Sequence, residues 1–390
     1  MVYKNSNEVM QLSGVPIYMQ DIVSACLKGK LNLFLQGDTG SGKTQLAADA
    51  MSYFPNESLF VLGRNDMDTR ELFQQFNLDK LKTAKSSSEL KTVSDKIDTK
   101  LIVVDEMPNC VPAVRAQLFN LFDGYIELDG KKYNIGNGYS VGIATGNIGQ
   151  RFTESSNELG RALKDRMHVI LDVDYFRPTA SDTLEILAND TNPRVEFSNG
   201  SSESEKIIQA SKELEKKEIP FDKLIIANYL IHGLDYCTVD GNPASKTKLK
   251  EEWPNCLENH SAGSDESLVL PVSVRAAKSI IRLSQALDEI VASQNGNVDN
   301  TQSMLQAYKL VSAYSGVLNE AEVKAKYQGD KYAAMDAIIA STNTQLQQKQ
   351  ADLAAGFDMI NSGKLDQKVL DLFCGRWNFM KSILESFVKK

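Results

Sequence analysis

The residues best suited to chemistry in this 390-residue chain sit in one short loop. Gly37-Asp38-Thr39-Gly40-Ser41-Gly42-Lys43-Thr44 sets three glycines before a lysine and a hydroxyl, so that backbone N–H groups can turn inward around an anion. Such a loop lets Lys43 neutralise β- and γ-phosphates while the Thr44 hydroxyl ligates Mg²⁺. About sixty residues further on, Asp105-Glu106 closes the apolar run Leu101-Ile-Val-Val104. Asp105 is placed to hold Mg²⁺ through water. Glu106 is placed to orient and deprotonate an attacking water, a task that an ATPase has and a kinase lacks. A third polar group, Asn147, follows the run Tyr139-Ser-Val-Gly-Ile-Ala-Thr145 and Gly146. Its amide could reach the attacking water or the γ-phosphate, although an asparagine after glycine is also an ordinary turn residue.

These residues need elements to position them. Leu31–Gln36 is apolar enough for a buried strand, and Gln45–Met51 is a good helix-forming stretch, so the loop sits between strand and helix as the phosphate-loop pattern demands. Carboxylates at the end of an apolar strand lie where ligands bind in α/β sheets. Between the second and third strands, Ala113–Phe122 has helical apolar spacing, and Gly124–Ile135 alternates around Asp129-Gly130, a strong hairpin signal. The predicted fold class is therefore α/β, a phosphate-loop core with a parallel sheet flanked by helices, followed by a helical domain.

Composition sets the outer limits. With 42% apolar and 24% charged residues, the chain is globular, and its length suits two or three domains. A formal charge of −8 argues against a surface that wraps nucleic acid throughout, while leaving room for a local basic stripe. Five cysteines over this length fit a reducing compartment better than a disulfide framework. The start lacks a basic stretch followed by an apolar one, and no apolar run approaches a membrane span. The expectation is a soluble, cytoplasmic protein with no membrane contact.

The series Gly37–Thr44, Val103-Val-Asp-Glu106, helix and hairpin, Ala144-Thr-Gly-Asn147, and Leu159-Gly-Arg-Ala-Leu-Lys-Asp-Arg166 resembles the AAA+ ATPases of the MoxR branch. Asp174-Tyr-Phe-Arg-Pro178 and Pro271-Val-Ser-Val-Arg275 resemble that family's strand exit and lid motif. The resemblance covers roughly residues 10–340. It implies ATP and Mg²⁺ as ligands and a homo-oligomeric, hexameric ring. It also implies work on a client protein, commonly with a separate von Willebrand-type partner, a domain this chain does not itself show. It gives Arg166 the role of an arginine finger reaching a neighbouring subunit's γ-phosphate, with Arg161 as the competing residue. Met167 replaces the usual aromatic after the finger. Arg275 takes the role of the lid's sensor arginine. Ser273 reads independently as the N-cap of the helix that follows, and a cation in a helix's first turn is disfavoured by the dipole, which suggests a purpose other than helix stability.

The domains expected are an α/β core over 1–177, a helical lid over 178–345 with an insertion at about 232–270, and a helical extension over 346–390. Helices are predicted at 181–188, 204–217, 221–230, 274–293 and 304–318, with a last one at about 365–388. That last helix carries the stripe Val369, Phe373, Trp377, Met380, Leu384 and Phe387. The insertion holds His232, Cys237, Cys256 and His260, a four-residue set of the type that suits tetrahedral Zn²⁺, or else an ordinary loop with reduced cysteines. The lysine-rich stretch 79–100 could grip a substrate or form a solvated face. Three functions follow. One is an ATP-driven ring that remodels or assembles a partner protein. The second is an ATP-driven motor stimulated by nucleic acid, in restriction, defence or replication. The third is a nucleotide-binding scaffold without useful hydrolysis, against which Glu106 speaks.

Overall fold

The computed structural model describes residues 7–66, 71–76, 91–128, 130–147, 164, 166–188, 203–249, 253 and 265–388. Two compact units divide the chain. One comprises residues 1–217 with 285–297, and the other 218–284 with 298–390. The first unit runs to 217 because the helix Ser204–Lys216 packs against the first helix of the core unit.

The core unit opens with an antiparallel pair, β1 (Glu8–Leu12) and β2 (Val15–Tyr18), turning through Ser13-Gly14 into α1 (Met19–Gly29). Its main sheet has five parallel strands, β3 (Leu33–Gln36), β4 (Ser58–Leu62), β7 (Leu101–Asp105), β10 (Val141–Gly146) and β11 (Val169–Asp172), in the order β11-β3-β10-β7-β4. Every residue of β3, β7 and β10 is buried. Central strands of a parallel sheet are covered on both faces, so they read as continuous apolar runs. Strand β4 lies at the edge and leaves Phe60 and Leu62 exposed.

Two further pairs are appended. The strands β5 (Gln74–Phe76) and β6 (Lys91–Val93) pair antiparallel, as do β8 (Tyr125–Leu128) and β9 (Lys131–Asn134), the expected hairpin. Helix α2 (Lys43–Met51) buries Leu46, Ala47, Ala50 and Met51, and α3 (Pro112–Phe122) precedes the hairpin. The placement of β10 between β3 and β7 matters most for function. It sets the ends of the loop strand and of the acid strand on either side of Thr145.

The second unit is mainly helical. Phe221–Asn228 runs into a π-helical turn at Tyr229–Gly233, and a hairpin follows, β12 (Tyr236–Val239) and β13 (Asn242–Ser245). Asp240 and Gly241 both take positive φ in its turn, as the tightest hairpin connection requires. The longer helices are Asn300–Ser312, Lys331–Gln348 and Gln350–Ser362, with the first part of Val274–Ser293, whose residues from 285 onward belong to the core unit. The predicted helix over 365–388 is broken. A short helix Gln367–Asp371 is capped by Asp366, Gly375 turns the chain at φ 57°, and Phe379–Val388 resumes. The stripe still buries Phe373, Trp377, Met380 and Leu384 within this unit, while Phe387 is partly exposed and meets the ring of Phe221. No helix among the described residues is long and apolar enough to cross a membrane.

Candidate nucleotide site

Strand β3 ends at Gln36, and the loop that follows turns through three glycines at positive φ: 153° at Gly37, 83° at Gly40 and 85° at Gly42. Glycine adopts these angles without a Cβ penalty. Gly42 is also the N-cap of α2, a position where no side chain caps the helix, and α2 carries no acid in its first turn. The helix therefore points N–H groups and its positive dipole end at a space that its own side chains leave to an anion.

Lys43 is buried, only 6% exposed. Its Nζ donates to the Gly37 carbonyl at 3.0 Å, the Asp38 carbonyl at 2.5 Å and Ser41 Oγ at 3.1 Å. Burial pushes its ammonium below the usual lysine range, opposed by the carboxylates of Asp174, Asp38, Asp105 and Glu106. The outcome is a desolvated cation held on the loop's own carbonyls. Asp38 and Thr39 form a tight local turn, with the Thr39 N–H donating to Asp38 Oδ1 at 2.7 Å.

Beside the lysine, Thr44 Oγ1 donates to Asp105 Oδ1 at 2.9 Å, and Thr145 Oγ1 donates to the same oxygen at 2.5 Å. The Thr145 hydroxyl in turn accepts the Glu106 N–H at 3.1 Å. One hydroxyl on the middle strand thus ties both acids of the neighbouring strand. Neutral and anionic oxygens are the donors a hard divalent cation prefers, so Thr44 and Asp105 fit Mg²⁺.

Glu106 is exposed and takes a left-handed backbone, φ 54° and ψ 40°, uncommon for a residue with a Cβ. Its carboxylate accepts from Asn109 Nδ2 at 2.9 Å. Gly63 is the close neighbour of this turn. Its N–H donates to the Asp105 carbonyl at 2.7 Å, and a Cβ there would stand 2.6 Å from the Glu106 carbonyl oxygen. Asn147 follows β10 directly, one residue beyond Gly146, which pairs with Gln36. It is exposed at the same end of the sheet as the loop and the acids.

Arg166 lies elsewhere. It precedes β11, whose first residue pairs with Leu33 at the start of β3, and Asn32 Nδ2 donates to the Arg166 carbonyl at 3.2 Å. The strand between this edge and the phosphate loop is about 10 Å long at a rise of ~3.3 Å per residue. The guanidinium donates from Nε to Asp123 Oδ2 at 3.0 Å and lies over the Phe119 ring, 4.9 Å from its centroid. Within one chain it is at the sheet end opposite the loop. Arg161 falls outside the described residues.

Arg275 belongs to the second unit, exposed in the first turn of Val274–Ser293. Ser273 Oγ accepts the Ala276 N–H at 3.1 Å, the N-cap read from sequence. Of the four zinc candidates, Cys256 and His260 lie outside the described residues. His232 sits in the π-helical turn with its ring 6.0 Å from that of Phe379, and Cys237 is fully buried in β12. No group of three or more metal-ligating side chains gathers among the described residues.

Sequence reasoning missed Thr145, Asn109 and Asp174. Asp174 Oδ2 accepts the Asp38 N–H at 2.6 Å, tying the exit of β11 to the phosphate loop. For Thr145 and Asp174 the available signal was position, a hydroxyl or carboxylate within two residues of a buried strand's end.

The fold and site define a phosphate-loop core of the AAA+ type followed by a helical region. Residues 32–167 match the model of the AAA domain, dynein-related subfamily, a span that contains the loop, both acids, Asn147 and Arg166. The chain also resembles the crystal structure of a candidate ATPase from Cytophaga hutchinsonii, with a TM-score of 0.55 and 16% identity. That likeness covers 82% of this chain and 88% of the other. No curated protein matches the sequence.

Proposed function

We propose that this protein is an ATP-hydrolysing AAA+ subunit of the MoxR type that works in a hexameric ring and remodels or assembles a client protein. The observation that carries the reading is the joined hydrogen-bond set Thr44–Asp105–Thr145–Glu106 beside a desolvated Lys43. Phosphate binding alone needs the loop and the lysine. A second acid one residue beyond the proposed Mg²⁺ carboxylate, and exposed at the strand end, suits activation of water.

Each residue then has a task. The N–H groups of Gly40–Thr44 and the ammonium of Lys43 bind the phosphates. Thr44 and Asp105 would hold Mg²⁺, which when bound supplies positive charge to the β- and γ-phosphate oxygens. Glu106 orients and deprotonates the attacking water, and Asn147, at the adjacent strand end, positions it. Arg166 is far from its own loop and fixed by Asp123, a placement that suits service to a neighbour's γ-phosphate. Arg275 is assigned the lid-arginine role by resemblance.

Replacing Glu106 by glutamine tests the reading, because it keeps shape and hydrogen bonding while removing the base. The variant is expected to bind ATP normally and to hydrolyse it at least about 10²-fold more slowly, the scale of general-base catalysis. Captured by pull-down in that ATP-bound state, it should also retain its client. Turnover near that of the unmodified protein contradicts the assignment.

A further inference from the structure

Two charged groups grip one peptide unit at the start of the phosphate loop. The Gly37 carbonyl accepts from Lys43 Nζ at 3.0 Å, while the Asp38 N–H, the other end of the same peptide, donates to Asp174 Oδ2 at 2.6 Å. Carboxylate, peptide dipole and ammonium are therefore in series, an arrangement in which each bond polarises the next. Hydrogen bonds with one ionised partner are about twice as strong as neutral ones.

The peptide needs such a grip, because its neighbour leaves it free to turn. Gly37 has φ 153°, in the range that residues with a Cβ rarely adopt. Rotation of the Gly37–Asp38 peptide would carry the carbonyl away from Lys43. The ammonium would then keep only the Asp38 carbonyl and Ser41 Oγ among these three partners. Asp174 is itself well held. Its N–H donates to Asp172 Oδ1 at 3.1 Å, and its carbonyl accepts from Arg177 Nε at 3.1 Å. Its carboxyl carbon stands 3.2 Å from where a Cβ on Gly37 would lie, so side chain and loop backbone meet closely.

We propose that Asp174 is a positioning residue of the nucleotide site, fixing the Gly37–Asp38 peptide so that its carbonyl holds the Lys43 ammonium in place. The inference rests on the assignment of Gly37–Thr44 as the nucleotide site. What the role requires of Asp174 is an acceptor oxygen at the right place. Its charge is a cost once a polyphosphate is bound nearby. An asparagine keeps the oxygen, and its weaker neutral bond is offset by the repulsion it removes, so it should cost far less than alanine.

The experiment uses the full chain and N-methylanthraniloyl-ADP with Mg²⁺, and compares unmodified protein, Lys43→Ala, Asp174→Ala and Asp174→Asn. Asp174→Ala is expected to weaken binding about tenfold, the worth of one hydrogen bond to a charged group. Asp174→Asn should bind within threefold of the unmodified protein or more tightly. If Asp174→Ala fails to fold, Asp174→Ser, too short to reach the Asp38 N–H, carries the same expectation. Unmodified affinity in Asp174→Ala, or equal losses in the alanine and asparagine variants, overturns the positioning role while the site assignment stands. No binding by the unmodified protein, or full binding by Lys43→Ala, instead overturns the site assignment.

Discussion

At the scale of single residues, Lys43 carries the largest electrostatic load. Its ammonium is buried, and burial pushes its proton affinity down against four nearby carboxylates. A cation kept so poorly hydrated gains strongly from a polyphosphate. Lys43→Ala is expected to weaken nucleotide binding at least 100-fold, about 3 kcal/mol or more on the conversion of 1.4 kcal/mol per decade. Alanine is the stronger helix former at the first position of α2, so the fold should hold. Isothermal titration with ATP and Mg²⁺ checks this, and unchanged affinity contradicts it. The residues proposed to bind phosphate were legible in the sequence because a glycine loop before Lys43-Thr44 has few other uses. The acid pair was legible from its place after four apolar residues. Thr145 and Asp174 were not, because their partners are 40 and 136 residues away in sequence. Only the pairing of β10 with β7, and of β11 with β3, brings them to the loop and the acids.

At the scale of elements, buried strands and the Asp129-Gly130 hairpin were readable from apolar runs and turn chemistry. The final helix was misread as continuous because periodicity at 3 and 4 survives across a break. Asp366 caps one segment and Gly375, at positive φ, turns the chain before the next, yet the stripe still faces inward. One polar cluster anchors that segment. Arg376 donates to Asp265 Oδ2 at 2.7 Å, to Glu266 Oε1 at 3.2 Å and to the Tyr229 hydroxyl at 3.2 Å. Lys246 Nζ donates to the carbonyls of Asp265 and Val269 at 2.9 and 2.7 Å. Burial pushes Lys246 down to about 8 from an ordinary 10.5, with Asp265 opposing. Above pH 8 the folded chain has released a proton that the unfolded chain keeps, so stability contributed by Lys246 rises with pH through that window. Tyr229, raised to about 12 by burial, acts in the opposite sense only as unfolded tyrosines ionise near pH 10. Denaturant unfolding from pH 8 to 9.5 should therefore show the stability of the unmodified protein rising relative to Lys246→Met. The expected slope is about 1 kcal/mol per pH unit. A flat difference contradicts the assignment of a neutral buried amine.

At the scale of the whole molecule, the account depends on completing each site across a boundary between subunits. Arg166 stands at the sheet edge opposite its own phosphate loop, pinned by Asp123 and Phe119, so one chain does not present it to its own phosphates. In a ring the same guanidinium can face the next subunit's γ-phosphate, where arginine fingers in GTPases are worth about 10³–10⁵ in rate. Arg166→Ala should then bind ATP nearly as well as the unmodified protein, since Lys43 and the loop N–H groups remain, while turning over poorly. Lys43→Ala should bind at least about 100-fold more weakly but still offer an intact Arg166. The most direct measurement is ATP turnover across mixing ratios of these two inactive variants, with co-assembly verified by light scattering. Wherever a nucleotide site of an Arg166→Ala subunit meets the finger of a Lys43→Ala neighbour, one complete site is rebuilt. The account predicts turnover that peaks at intermediate ratios and grows with total concentration. Confirmed mixed rings with no turnover at any ratio would contradict it, most sharply if Arg161→Ala restored activity in the same assay.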